Sequence, residues 1–304
     1  ALRYTQNDNI KISEGAEIIV PAVSWSTTYF PLQQYGLKLK FVDIDLNTLN
    51  YDIKALKHAV TDETRAIMVV NLLGNPNDFD AISNIIDGKK IVMIEDNCES
   101  MGATFNGRQA GTFGVAGSFS GFFSHHISTM EGGICVTDDE ELYHVMLSIR
   151  AHGWTRNLPK FNKVTGKKSD DPFEETFRFV LPGYNLRPLE MSGALGLEQL
   201  KKLPNNIKIR NRNFDKIKNF FNQYRKFFKL PEQDNNVVTP WLAFPLVIKK
   251  NNLFSRKEFQ IFFEKNNIQT RTIFTGNILK QPIVKNRKYK SLKKSDEVAN
   301  DVMR

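Results

Sequence analysis

Two adjacent histidines, His125 and His126, stand in a polar run that follows the alternation Gly117-Ser118-Phe119-Ser120 and precedes the pair Gly132-Gly133. An imidazole titrates near ~6.5 and can take or give a proton at neutral pH. In an extended segment Ser118 and Ser120 share one face, so two hydroxyls form a polar ledge just ahead of the histidines. Gly132 and Gly133 suit a tight return at the mouth of a site. An ordinary strand, turn and strand with surface histidines would read the same way. Asp96 closes the apolar run Ile91-Val92-Met93-Ile94 and could act as an acid at a strand end or as a helix cap. Trp25 offers a flat apolar face for a stacked ring or for plain core packing.

These residues need a scaffold that collects them. Strand patterns at 17–21, 37–45, 64–73 and 89–95 alternate with helical patterns at 50–60 and 79–86, which predicts an α/β fold with a mainly parallel sheet flanked by helices. Ligands in such sheets gather outside the carboxyl ends of the strands, where 21–28, 95–99 and 118–126 fall. Ser24 is expected to cap a short helix after the first strand. Asn106-Gly107 predicts a two-residue hairpin turn. A helix is expected over 139–153, then a long basic connection from Gly153 to Asn185, of a length that is usually functional or disordered. Helices at 188–200 and 204–224 lead into a mixed region with strands near 241–248 and 269–272 and a helix near 255–266. Length favours a large domain, 1–205, and a smaller C-terminal α/β domain, 206–304.

At 41% hydrophobic residues the chain can fill a core, which excludes disorder as a whole. The net charge of +9 is scattered over Lys38 to Lys40, Lys160 to Lys168, Lys201 to Arg212 and Lys280 to Lys294. That scatter fits solvated helix faces, and no nucleic-acid-binding signature accompanies it. Cys98 and Cys135 have no metal-ligand spacing and are expected as buried thiols in a reducing cytoplasm. No run approaches the length of a membrane span. Ala1 opens in what reads as a helix tail and 301–304 fall in a helical pattern, so a fragment of a longer product, truncated at both ends, is expected.

Four pieces in order, Val20-Pro21-Ala22-Val23-Ser24-Trp25, Ile94-Glu95-Asp96-Asn97-Cys98-Glu99-Ser100-Met101-Gly102-Ala103, the histidine stretch with Glu131-Gly132-Gly133, and Gly183-Tyr184-Asn185-Leu186-Arg187, resemble the nucleotide-sugar aminotransferase family of pyridoxal-phosphate enzymes. The resemblance implies fold type I. That family keeps a Schiff-base lysine six residues before the Glu of its Glu-Gly-Gly motif, and here the position is His125. One branch carries histidine there, and the run 124–133 with Arg150 to Asn157 is similar to it.

The resemblance assigns Asp96 to the pyridine nitrogen of pyridoxal 5'-phosphate, Trp25 to its ring face, Glu99 to its ring hydroxyl, Ser120 to its phosphate and Asn185 to the phosphate of a neighbouring subunit. It therefore implies a homodimer with shared sites. His152 and Arg156 are candidates for gripping the sugar or its diphosphate, and Arg271 for a carboxylate or phosphate. A histidine cannot form the imine that a lysine forms, so the cofactor is expected to persist as pyridoxamine 5'-phosphate and to be reloaded by L-glutamate. An imidazole near ~6.5 can remove a proton that an amine near ~10.4 cannot without strong depression.

The expected reaction is loss of the C3 hydroxyl of a nucleotide-linked 4-keto-6-deoxy sugar, with GDP-4-keto-6-deoxy-D-mannose as the expected substrate. A branch that uses an iron-sulfur cluster is disfavoured, because only Cys135 follows His125. The rival readings are a sugar aminotransferase, a metal hydrolase using Asp96 and Glu131, and a silent scaffold binding a polyanion at 160–168. The family's Gly-Ser phosphate-binding turn is expected before Ala1 and its last helices after Arg304.

Overall fold

The structure, a computed structural model, describes residues 1–251, 253–284, 294–295 and 302–303. A six-stranded sheet is built from β1 (Glu17–Pro21), β2 (Lys38–Val42), β3 (Thr64–Val70), β4 (Val92–Asp96), β7 (Ala116–Ser120) and β8 (Gly133–Val136), with a hairpin β5 (Thr104–Phe105) and β6 (Arg108–Gln109) between β4 and β7. The order is β2-β1-β3-β4-β7-β8. All pairings are parallel except β7 with β8. The chain runs outward from β1 to β2 and then returns to place β3 on the other side of β1, which makes the carboxyl ends of β1 and β3 the switch point of the sheet.

Helices α1 (Ser26–Gln34), α2 (Ile53–Ala59) and α3 (Phe79–Ile86) connect these strands. Period-two alternation sorts strand side chains into two layers. Ile19, Ile67, Val69 and Met93 pack with Leu56, Phe79 and Ile82 on one face. On the other, Ile18, Val20, Ala66 and Val92 pack with Tyr29. Asp52 and Asp78 cap α2 and α3 by accepting the Ala55 and Ala81 N–H groups, so each helix starts where its acid ends the preceding loop.

Several expectations change in the folded chain. Residues 1–4 form a turn, with the Tyr4 N–H donating to the Ala1 carbonyl, and are not a helix tail. The residue before α1 is Trp25, which makes no side-chain cap, while the Ser24 hydroxyl turns to Thr28. The helices expected at 188–200 and 204–224 are one, α6 (Glu190–Asn222), following α4 (Glu140–Arg150) and α5 (Pro172–Thr176). Pro204 removes one backbone donor from α6, and the turns on either side carry the helix past it. The expected strand at 269–272 is absent from the assigned strands, and Val302–Met303 is a strand against Leu246–Val247 where a helix was expected. Asp301, Arg304 and most of the charged run up to Lys294 lie outside the described residues. After 220 a separate apolar cluster of Phe221, Phe228, Leu230, Leu246 and Ile248 forms, joined by Phe259 and Phe263 of α7 (Arg256–Lys265). Among the described residues no helix is long and apolar enough to cross a membrane.

Gly117 explains how β7 fits. It is buried between Glu95 and Val136, and a Cβ there would land on the Gly111 carbonyl of the loop before the strand. Gly117→Ala is therefore expected to destabilise the fold by about 2 kcal/mol, seen as a lower urea midpoint. An unchanged midpoint would show that the loop yields freely.

Candidate active site

Adjacent carboxylates on β4 point to opposite faces. Glu95 is fully buried and accepts the N–H groups of Gly111, Phe113 and Gly114 at 2.6–2.7 Å, which pins the loop leading into β7. Burial pushes its carboxyl up, against the pull of those three donors. Asp96 faces the α1 side. Its Oδ2 accepts from the Thr28 hydroxyl at 2.8 Å and its Oδ1 from the Cys98 N–H at 3.2 Å. In register it lies between Val70 and Ser118. The two predicted hydroxyls follow on β7, and the Ser120 Oγ accepts the Phe122 N–H at 3.1 Å, which leaves its proton to donate.

Trp25 emerges at the end of β1 with 55% of its surface exposed, edge-on to Phe274 at 6.0 Å. Sequence reasoning left its face open between stacking and packing, and an indole this exposed is available to a planar ligand. Glu99 is buried, and its Oε2 accepts the Leu73 N–H at 2.8 Å. Leu73 has φ +54°, and the Leu242 N–H donates to its carbonyl at 2.9 Å. The side chain expected near a ring hydroxyl thus also supports a strained turn at the end of β3.

His125 is half-buried, with its N–H on the Phe122 carbonyl and its ring edge-on to Phe122 at 5.6 Å. His126 turns inward, and its Nε2–H donates to the Pro240 carbonyl at 2.9 Å. Arg210 of α6 holds the next two carbonyls, Trp241 and Leu242, at 3.2 and 3.1 Å. The histidine loop is in this way tied to a segment more than a hundred residues later in the chain.

A second group of predicted residues sits on the connection 153–185, which is ordered around aromatic contacts. Trp154 stacks on Phe177 and Phe179, and the Arg156 guanidinium lies 5.1 Å over the Trp154 ring. His152 has φ +63° and donates its N–H to Tyr184, while Asn185 is exposed and bridges Ala151. Arg271 is exposed, three residues before the Phe274 ring that touches Trp25. Among the described residues no hydrogen bond joins His152, Arg156, Asn185 or Arg271 to Asp96. Cys98 is half-buried and its thiol is pushed up by burial, but Cys135 is exposed on the edge strand β8 and corrects the expectation of two buried thiols. Sequence reasoning passed over Thr28 and the Pro240 carbonyl, since neither stands out without its distant partner.

The donor set at and just beyond the carboxyl ends of β1, β4 and β7, an anchored carboxylate, an exposed indole, a hydroxyl ledge and an imidazole in the segment after β7, fits a phosphorylated pyridine cofactor. The chain belongs to the DegT/DnrJ/EryC1/StrS aminotransferase family, whose profile matches residues 2–304. Among individual proteins it is 60% identical over 280 residues to the GDP-4-keto-6-deoxy-D-mannose 3-dehydratase of Escherichia coli O55:H7, covering 92% of this chain and 71% of that one. A crystal structure of GDP-4-keto-6-deoxymannose-3-dehydratase with a trapped PLP-glutamate geminal diamine superposes with a TM-score of 0.92 at 54% identity, over 99% of this chain and 78% of that one. A variant of that dehydratase with bound GDP-perosamine matches with the same score, identity and coverage.

Burial holds the His126 imidazole down at about 4, with Arg210 and His125 adding repulsion. The unfolded chain takes up this proton first as pH falls, so the stability His126 contributes is complete above about pH 6.5 and lost between there and about pH 4, about 3 kcal/mol in all. Urea titrations of wild type and His126→Asn across that range should show their stability gap closing toward acid. A gap independent of pH would contradict the buried neutral imidazole.

Proposed function

We propose that this chain removes the C3 hydroxyl of a nucleotide-linked 4-keto-6-deoxy sugar, GDP-4-keto-6-deoxy-D-mannose, using pyridoxal and pyridoxamine 5'-phosphate as cofactor and L-glutamate as amino donor. The observation that carries this reading is His125, an imidazole six residues before Glu131 where the aminotransferases of its family keep their tethering lysine. The bound cofactor supplies an electron sink and an amine that can condense with a keto group.

The protein's own residues divide the remaining work. Asp96, fixed at both oxygens, presents a carboxylate to the pyridine nitrogen, and Trp25 covers a ring face. Ser120 gives its free proton to the phosphate. Glu99 stands toward the ring hydroxyl on the turn it supports at Leu73. His125 has no amine to bind the cofactor covalently and serves as the base that takes a proton and returns it to the departing hydroxyl as water. His152 and Arg156 grip the substrate's sugar and diphosphate, since a guanidinium matches phosphate geometry. Arg271 contributes a further cation to the same mouth.

Asn185 serves the neighbouring subunit in a homodimer. Exposed Leu186, Leu189, Met191 and Leu197, with Phe173 and Phe177, support that assembly by leaving an apolar surface for a partner. A monomer in sedimentation equilibrium would remove it.

Incubation with glutamate, pyridoxal phosphate and the GDP-linked keto sugar should yield 2-oxoglutarate and ammonia in equal amounts. His125→Asn should slow turnover about 100- to 10,000-fold while leaving glutamate-independent sugar binding in place. Accumulation of an amino sugar without ammonia would assign an aminotransferase instead.

A further inference from the structure

Two buried hydroxyls stand in line behind Asp96. Thr28 lies in the first turn of α1 with its side chain turned back to the sheet. Its Oγ1 is 2.8 Å from Asp96 Oδ2 and 2.9 Å from Ser24 Oγ. Ser24 and Thr28 are only 2% and 5% exposed, so water does not serve them.

Proton counting sets the direction of this chain. A carboxylate only accepts, and a hydroxyl has one proton to give and two lone pairs to receive with. Thr28 spends its proton on Asp96, so in the contact between the two hydroxyls Ser24 is the donor. The Tyr29 phenol donates to the Pro21 carbonyl at 2.8 Å and so gives no proton to Ser24, whose hydroxyl also reaches the phenol oxygen. The Thr28 side chain has no capping duty either, since the turn from Trp25 into α1 carries no side-chain cap. Valine would fill the same space, so packing alone does not call for threonine here.

We propose that Thr28 is a positioning residue for the cofactor: its hydroxyl, backed by Ser24, holds Asp96 Oδ2 so that the carboxylate is presented to the pyridine nitrogen in a single orientation. With the Cys98 N–H on Oδ1, the carboxylate cannot rotate without breaking a bond at one oxygen. The Cys98 thiol also reaches this carboxylate, and the lone pairs that Thr28 and Cys98 leave free face the ligand. The hydroxyl chain replaces the water that would otherwise solvate this anion, and it needs no reorganisation when the ring arrives. The inference rests on the reading of this edge as a pyridoxamine phosphate site.

The test is the dissociation constant of pyridoxamine phosphate, by fluorescence titration without sugar, together with the pH profile of the bound cofactor's absorbance. Thr28→Val should bind about tenfold more weakly and shift the pH profile, because one charge-assisted hydrogen bond is lost. Thr28→Ser should restore both. Ser24→Ala, which leaves Thr28 in place, should weaken binding about two- to threefold and keeps the idea testable if Thr28→Val does not fold. Wild-type affinity and an unchanged pH profile in Thr28→Val, or in Ser24→Ala where Thr28→Val does not fold, would overturn the assignment. Failure of Thr28→Ser to restore them would overturn it too. Failure of the wild-type protein to bind pyridoxamine phosphate at all would overturn the site reading itself, and this proposal with it.

Discussion

The period-two pleat of β4 carries the arrangement. It sends Glu95 into one layer and Asp96 toward the other, although both are acids and neighbours in the chain. Each is then satisfied by different partners. Glu95 binds three backbone N–H groups of the 111–114 loop and so sets where β7 starts, while Asp96 takes the Thr28 hydroxyl and the Cys98 N–H. A one-residue slip of β4 would bury Asp96 against apolar side chains and leave the loop without its acceptor. Parallel register does the rest, because it places Ser118 beside Asp96 and brings the segments after β1 and β7 to the same edge.

The histidine loop depends on long-range ties. Its first histidine projects from a turn whose second histidine is buried and bonded to Pro240. Trp241 and Leu242, just beyond, accept from Arg210 of α6, and Leu242 also binds Leu73, whose own N–H is taken by Glu99. Three elements remote in sequence thus meet at one short segment. Such a network resists partial change, since each buried polar group removed leaves another without its partner. A loop restrained in this way holds its side chains in fixed positions.

Local chemistry made part of this legible before any coordinates. The Asn106-Gly107 turn follows from positive φ at both residues, +50° and +76°, which that pair tolerates. Helix α3 has the bounds its capping acid and apolar spacing suggest. The replacement of lysine by His125, read against its family, pointed to the chemistry. What sequence could not show has non-local causes. Ser24 looked like a cap because its type favours one, but its hydroxyl found Thr28 instead. Pro204 looked like the start of a second helix because a first-turn proline has no donor to lose, yet it lies inside α6, which bears the lost bond within its 33 residues. The 153–185 connection looked like a bare loop because its order comes from the stacking of Trp154 on Phe177 and Phe179, more than twenty residues away.

The proposed site holds its cofactor without a covalent bond, through Asp96, Trp25 and Ser120, with His125 in the position where related aminotransferases keep a lysine. Borohydride reduction of the protein saturated with pyridoxal phosphate, followed by intact-mass measurement, distinguishes this arrangement from a lysine-tethered one. The polypeptide should keep an unchanged mass, with the reduced cofactor lost on denaturation. A mass increased by one cofactor, mapped to a lysine at this edge of the sheet, would contradict it.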